Sequence, residues 1–214
     1  MVENKHSIQT CLCLVKNMYL YIMRTAGVKE RVLETAARLF YEQGYQATGI
    51  NQIIEEAAIA KASLYQHFAS KELVLNAYLQ SHKINWYNNL LAYTEKMEEG
   101  REKLIGLFDY RKQTLENRHY KGCAFSRMAY ELPDINEEAL AIIQGHKLAI
   151  KGFIKQQLYM LKSPPFPKQE LHELTEMIFN LIEGTILQST ILRSSRPMED
   201  TRKMLVRILD SNAQ

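Results

Sequence analysis

The sequence has few of the residues that break helices or staple small folds. Only 9 of its 214 residues are glycine and 5 are proline, which argues against a turn-rich all-β fold. The three cysteines, Cys11, Cys13 and Cys123, match no zinc-ligand spacing and provide no even set for disulfides. The simplest interpretation is a protein of the reducing cytoplasm.

A membrane span and a secretory signal are also missing. The most apolar stretch, residues 11–23, is interrupted by Lys16 and Asn17, whereas a membrane helix needs about 18 or more consecutive apolar residues. Residues 24–27 offer no small-x-small cleavage site behind that stretch. We therefore expect no membrane partner.

Catalytic patterns do not occur in the chain. It has no glycine-rich phosphate loop, no His-Glu metal helix and no nucleophile elbow, and its six histidines are scattered without ligand spacing. A net charge of +3 is too small to identify a nucleic-acid partner by itself. The sequence predicts a protein that is not an enzyme and has no cofactor, and its partners must be inferred from local residue placement.

Helical periodicity is what the sequence contains. Apolar residues recur every three or four positions from Lys29 to Gln43, and a short second helix carries Ile50, Ile53 and Ile54 on one face. We predict an all-α fold, with a small N-terminal three-helix unit and a larger C-terminal helical domain. The longer helices are predicted over residues 71–97, 101–117, 123–130, 136–161 and 171–192, and from 197 onward.

Residues 48–68 carry the pattern of a helix-turn-helix unit. Thr48 is predicted to cap the second helix, residues 58–60 form a turn, and the third helix runs from Lys61 to Phe68 with Leu64 pointing inward. In this geometry the third helix enters the major groove of DNA, while the second crosses the backbone. The pattern therefore predicts a DNA-binding module.

The polar residues of this segment suit DNA contacts. Glutamine can pair with adenine, serine with either base type, and tyrosine with a phosphate or a thymine methyl, while lysines neutralise phosphates. Alternatives remain for single residues, since Tyr65 could pack against the first helix and His67 could cap a helix end. The predicted DNA contacts are Thr48, Gly49, Lys61, Ala62, Ser63, Tyr65, Gln66, His67 and Lys71.

The stretch TGINQIIEEAAIAKASLYQHFASK, residues 48–71, resembles the tetracycline-repressor (TetR) family of transcriptional regulators, as does ETAARLFYEQGYQAT before it. The resemblance is specific from about residue 29 to 79. It implies a homodimeric repressor whose first three helices bind DNA and whose variable helical body holds a ligand. It also implies that residues 61–67 form the recognition helix and that Thr48 and Lys71 contact phosphates.

Three positions depart from the family pattern. Ala58 stands in the turn where the family usually has glycine, and Ala60 stands where a serine usually caps the third helix. Loss of such a cap costs on the order of 1 kcal/mol. Ala62 replaces a frequent glycine. These changes affect the contacts more than the fold.

We divide the chain into an N-terminal extension, a DNA-binding domain and an effector-binding and dimerisation domain. The extension covers residues 1–26 and is either disordered or the product of an upstream start codon, since Met23 reads like an ordinary protein beginning; an additional packed helix is the alternative. The helix-turn-helix domain covers residues 27–74, and the larger domain covers residues 75–214.

The middle helices are rich in aromatic and methionine side chains, which suit a pocket for an apolar or amphipathic effector. Arg111 and Glu183 are candidates to orient a polar group of that ligand. The alternatives are an ordinary core and a surface ion pair. The predicted pocket residues are Trp86, Phe108, Tyr110, Arg111, Phe125, Met128, Phe153, Phe179 and Glu183.

Two C-terminal helices carry apolar stripes that could pair with a second copy in a four-helix bundle, although an intramolecular core is the alternative. The predicted interface residues are Leu174, Ile178, Leu181, Thr185, Met204 and Ile208. The sequence thus predicts a regulator that binds a palindromic operator as a homodimer and is released by a small-molecule effector. An all-helical protein-interaction adaptor without DNA binding is the alternative.

Overall fold

The structure, a computed structural model, describes residues 27–132, 134, 136–161, 167 and 170–210. Within these ranges the chain forms helices and no strands, so the predicted all-α fold is confirmed. None of the described helices is long and apolar enough to cross a membrane. The predicted extension, residues 1–26, lies outside the described residues. The helices are α1 (Val28–Glu42), α2 (Ile50–Glu56), α3 (Lys61–His67), α4 (Lys71–Thr94), α5 (Arg101–Asn117), α6 (Ala124–Glu131), α7 (Glu137–Tyr159), α8 (Leu171–Leu192) and α9 (Arg196–Asp210).

The chain divides into two compact units, Met1–Tyr78 and Leu79–Gln214. The first unit is held by a small apolar core from α1, α2, α3 and the first turns of α4. Leu64 is fully buried and Phe68 is 4% exposed, as their spacing predicts. The ring of Phe40 packs 5.2 Å from Tyr45 and 5.6 Å from Tyr78, measured between centroids. Since each buried large apolar side chain stabilises the unit by roughly 1.5–3 kcal/mol, this core fixes the short helices.

The turn between α2 and α3 is held by a side chain from α1. Ala58 has a φ of +51°, the left-handed region that costs a non-glycine residue about 1 kcal/mol. The guanidinium of Arg31 donates hydrogen bonds to the carbonyl oxygens of Ala57 and Ala58, at 3.4 and 3.2 Å. Ala60 precedes α3 without a capping side-chain hydrogen bond, as its methyl group requires. Arg31 thus stabilises a turn whose own residues are not optimal.

Two of the longer helices begin at a side-chain cap. Asn136 Oδ1 accepts a 2.7 Å hydrogen bond from the amide of Ala139 at the start of α7. Ser70 Oγ accepts one from the amide of Leu73 at the start of α4, at 3.2 Å. The predicted end of α4 near Met97 is three residues too late, because the helix ends at Thr94.

The second unit packs α5, α7, α8 and α9 around one large core, and part of this core is polar. His146 is 1% exposed, and its ring stacks on Phe125 at 3.8 Å and meets Trp86 edge-on at 4.9 Å. Burial, with Arg111 and Lys147 nearby, lowers the pKa of His146 to about 2. Burial, with Arg118 and Arg111 nearby, lowers the pKa of His82 to about 4. Both imidazoles are therefore neutral at pH 7.

We expect Ala58→Gly to stabilise the N-terminal unit by up to about 1 kcal/mol, because glycine adopts a positive φ without a Cβ clash. The matched control is Ala62→Gly, at an exposed position within α3. It should destabilise the unit by about 1 kcal/mol, since glycine lowers helix propensity. Urea unfolding followed by circular dichroism measures both. Equal effects of the two substitutions would contradict the left-handed assignment of Ala58.

We expect acid to destabilise the C-terminal unit below pH 6.5. Because the folded pKa values of His82 and His146 lie below the unfolded value, the stability is complete above pH 6.5 and is lost as pH falls towards 4. Each histidine contributes up to about 1.4 kcal/mol per pH unit in this window. Trp86 is the single tryptophan, so its fluorescence reports denaturant unfolding of this unit.

His146→Phe should reduce the slope of unfolding free energy against pH between 7 and 5, because one of the two imidazoles with a lowered pKa is gone. His172→Phe, on the exposed side of α8, is the matched control. A His146→Phe slope equal to that of the unsubstituted chain would contradict the assignment.

Candidate nucleic-acid interface and effector pocket

Helix α3 presents a polar face to solvent. Leu64 anchors the helix on its buried side, and Tyr65 is 44% exposed, so part of its ring faces solvent. Ser63 is half-buried. The other predicted contacts on this helix are exposed, namely Lys61, Ala62, Gln66 and His67. The exposed residues include both a cation for phosphates and amide and ring groups for base edges.

The predicted role of Thr48 is wrong. Its side chain is fully buried, and its hydroxyl donates a 2.7 Å hydrogen bond to the carbonyl oxygen of Gly44. It also accepts a hydrogen bond from Gln43 Nε2 at 3.2 Å. The residue that precedes α2 is Gly49, which makes no side-chain cap. Thr48 therefore closes the loop between α1 and α2 and has no surface to offer to a phosphate.

Two further predicted contacts lie beside this loop. Gly49 is exposed, and a Cβ added to it would meet nothing within 4 Å, so no close packing requires glycine there. The ammonium of Lys71 lies 4.0 Å from the centroid of the Tyr45 ring, and partial burial lowers the pKa of this lysine. A phosphate contact by Lys71 would have to compete with this cation–π contact.

Polar contacts between α1 and α2 were not predicted. Arg38 forms ion pairs with Glu42 and with Glu56. Gln43 Nε2 donates to Gln52 Oε1 at 2.8 Å, and Gln52 Nε2 donates to Glu56 Oε1 at 2.9 Å. Gln43 and Gln52 are 9 residues apart and Arg38 and Glu56 are 18 residues apart, so helical spacing does not predict these two contacts. The two longer-range contacts, Arg38–Glu56 and Gln43–Gln52, hold α2 against α1 and so help to position α3.

In the C-terminal unit, Arg111 is the centre of a buried polar cluster. It is only 5% exposed, and its guanidinium carbon lies 3.9 Å from the centroid of the Trp86 ring. The Tyr110 ring packs 5.4 Å from Trp86. Burial lowers the pKa of Arg111, although the guanidinium is bracketed by partly compensating charges. The sequence analysis named Arg111 as a candidate pocket residue and left a surface ion pair as the alternative. That alternative is wrong for Arg111, because the residue is buried.

Two adjoining cavities lie around this cluster. The inner cavity has a volume of about 30 Å³ and is lined by Trp86, Arg111 and Phe125 among others. The outer pocket has a volume of about 550 Å³, is lined by Glu183 and Tyr130 among others, and lies between α6 and α8. Both are walled by Gly122, Cys123 and Ile186. The outer volume is in the range of small-molecule sites.

Several predicted pocket residues are packed in the core instead. Phe108 is fully buried and Phe153 is 2% exposed, both in the large core cluster, which was the alternative left open by the sequence. Their spacing alone could not separate the two roles, since core and pocket walls are both apolar. Met128 and Phe179 are likewise buried.

Glu183 pairs with a residue that the sequence did not single out. Its Oε2 lies 2.5 Å from the ammonium of Lys147, which also donates to Ser126 Oγ at 2.9 Å. Lys147 lies 3.7 Å from Cys123 Sγ. Burial raises the pKa of the Cys123 thiol, but Lys147 and Arg111 outweigh it and hold that pKa below its usual value. This corner of the unit therefore favours negative charge.

The predicted dimer residues divide into two groups. Leu174, Ile178 and Thr185 are buried within the protomer, so their interface role is wrong: they lie on the side of α8 that packs into the core. Met204 is 51% exposed, and Leu181 and Ile208 are partly exposed. The exposed side of α8 adds Ile191, at 69% exposure, which the prediction omitted.

The comparisons with known proteins agree with this arrangement. The family model for bacterial regulatory proteins of the tetR family matches residues 32–78. The chain is 28% identical over 176 residues to the uncharacterized HTH-type transcriptional regulator YxaF of Bacillus subtilis, covering 79% of this chain and 88% of that protein. It is 24% identical over 186 residues to the HTH-type transcriptional repressor NemR of Escherichia coli, covering 80% and 88%.

A solved structure shows the same fold. The TetR-family transcriptional regulator SCO4454 from Streptomyces coelicolor matches with a TM-score of 0.77 at 19% identity, covering 87% of this chain and 96% of that one. The relatives are regulators, which confirms that the chain is not an enzyme. The matched residues include all of α2 and α3 with their exposed polar face. The chain belongs to the TetR family of helix-turn-helix transcriptional regulators.

Proposed function

We propose that this regulator is a repressor that binds a palindromic operator as a homodimer and leaves it when a small apolar or amphipathic effector binds the C-terminal unit. The observation that carries the proposal is the exposed polar face of α3. This helix has only seven residues, and the buried side chain of Leu64 holds it on the N-terminal unit. NemR, similar over 186 residues, is named a transcriptional repressor. An adaptor that ignores DNA has no comparable support.

Helix α3 supplies the DNA contacts in this proposal. Lys61 neutralises a phosphate, while Tyr65 and Gln66 reach base edges and the thymine methyl. The buried side of the helix, held by Leu64, fixes the angle from which these side chains leave the backbone. Thr48 has no direct contact and instead keeps the loop before α2 closed.

Dimerisation uses the exposed sides of α8 and α9. Ile191 and Met204 are more than half exposed, and Leu181 and Ile208 flank them. Thr185 of α8 meets Thr201 of α9 with 3.1 Å between hydroxyl oxygens, so the two helices are direct neighbours. One recognition helix buries too little surface for strong specific binding, and two half-sites supply the remainder.

The effector acts through α4. This helix contributes Lys71–Tyr78 to the first unit, and its later residues His82 and Trp86 line the inner cavity. A ligand that favours one position of α4 changes the separation of the two recognition helices. Half-sites on one face of B-DNA lie about 34–36 Å apart, so a shift of a few ångströms lowers operator affinity.

We expect Lys61→Ala and Tyr65→Ala each to weaken binding to the DNA upstream of the chain's own gene. Lys61→Ala should also reduce the slope of log affinity against log salt by about 1 per protomer, because one phosphate contact is lost. Lys96→Ala, at an exposed position near the end of α4, is the charge-matched control. Fluorescence anisotropy over a salt series measures all three. Unchanged affinity in both α3 variants would exclude α3 as the recognition helix.

We expect the double variant Ile191→Glu/Met204→Glu to shift the chain from dimer to monomer, because it places like charges in an apolar interface. Leu148→Glu, at a position of α7 that is 65% exposed, is the matched control and should stay dimeric. Sedimentation velocity gives the oligomeric state. A dimer that survives the double variant would place the interface elsewhere.

A further inference from the structure

The guanidinium of Arg111 has unused hydrogen-bonding capacity inside the protein. The residue is 5% exposed, and among the described residues no acceptor lies within hydrogen-bond distance of its Nε or Nη2. An unpaired buried donor of this kind costs free energy, and a charged one costs more. The ring of Trp86 covers one face of the guanidinium but offers no acceptor for the N–H groups in its plane.

Both basic and acidic side chains surround Arg111. Lys147 is paired with Glu183, and Arg118 also lines the inner cavity. The two histidines lining the same cavity, His82 and His146, are neutral at pH 7 because burial lowers each pKa. The acidic groups here are Glu183, whose Oε2 is paired with Lys147, and the Cys123 thiol, whose pKa Lys147 and Arg111 lower.

The inner cavity has the size of a small ionic group. Its volume of about 30 Å³ holds roughly two water molecules, and the two oxygens of a carboxylate need similar room. The cavity shares Gly122, Cys123 and Ile186 with the outer pocket, so the two spaces adjoin along these three residues. Leu187 and Tyr130 give the outer pocket an apolar mouth.

We propose that the effector is an organic carboxylate whose anionic group binds Arg111 in the inner cavity and whose apolar or aromatic body fills the pocket between α6 and α8. The proposal deepens the proposed effector site and rests on it. A guanidinium fork can donate two parallel hydrogen bonds to a carboxylate, and such charge-assisted bonds are strong where water is excluded. A ligand of this class would satisfy the Nε and Nη2 donors together.

The affinity test uses benzoate and 2-naphthoate, each compared with its neutral amide, by isothermal titration calorimetry on the full chain. We expect at least one carboxylate to bind about tenfold or more tightly than its amide. Arg111→Met should remove that preference while leaving amide affinity within about twofold. Arg111→Lys, which keeps the charge but not the planar fork, should retain part of it. Equal binding of acid and amide, binding of neither carboxylate, or a preference that survives in Arg111→Met would overturn the proposal.

The midpoint of thermal unfolding gives a second readout. If Arg111 were a merely structural residue, replacing it would lower this midpoint, whereas a ligand-binding Arg111 predicts a rise. Arg111→Met should raise the midpoint of thermal unfolding of the ligand-free chain by roughly 3 °C or more, because it replaces a buried guanidinium with two unsatisfied donors by an apolar chain of similar length. Arg202→Met is the control, since Arg202 is paired with Asp109 at 2.7 Å and its loss should not raise the midpoint. A fall of the midpoint in Arg111→Met would make Arg111 a structural residue and overturn the proposal.

Gel retardation of operator DNA, measured in parallel, separates the anion-site proposal from the repressor proposal. A chain that retains operator DNA but shows no carboxylate preference would refute the anion site alone. A chain that binds the carboxylate through Arg111 but never retains DNA would refute the repressor proposal and leave the anion site standing. We expect the binding carboxylate to lower operator affinity in the unsubstituted chain and not in Arg111→Met.

Discussion

Helices α2 and α3 have seven residues each, and helices of that length are unstable alone in water. They exist because Ile53 and Leu64 are fully buried in the core of the N-terminal unit. The same burial decides which side of α3 faces outward, so the orientation of its polar residues follows from an apolar contact. The turn between the two helices adds a second constraint, because Ala58 has a positive φ. Arg31 stabilises this turn by donating hydrogen bonds to the carbonyl oxygens of Ala57 and Ala58.

The C-terminal unit is built on a different balance. Its core buries Arg111 and His146 beside Trp86 and Phe125, with the half-buried His82 next to them, and apolar residues of the same volume often give a more stable core. Proteins retain such groups where function requires them, and loss of stability is the usual consequence. The polar cluster and the two adjoining cavities occupy the same place in the unit, which fits a ligand site better than a packing accident.

Helix α8 shows how one sequence pattern can serve two surfaces. Leu174 and Ile178 lie on its core side, while Ile191 lies on its exposed side, and all three belong to one apolar helix. Apolar residues at helical spacing look alike in the sequence, because their hydrophobicity does not show which helix they contact. The part of the stripe that stays exposed becomes visible only when the intramolecular partners α7 and α9 are in place.

The sequence by itself determined the helical class, the positions of the two short helices and the family, because periodicity and a dense local motif are properties of neighbouring residues. Only the tertiary structure decided that Thr48 is buried, that Arg111 lies inside the protein, and which apolar residues of α8 remain exposed. Each of these depends on partners many positions away, such as α1 above the turn or Lys147 beside Glu183, and local patterns carry no information about such contacts.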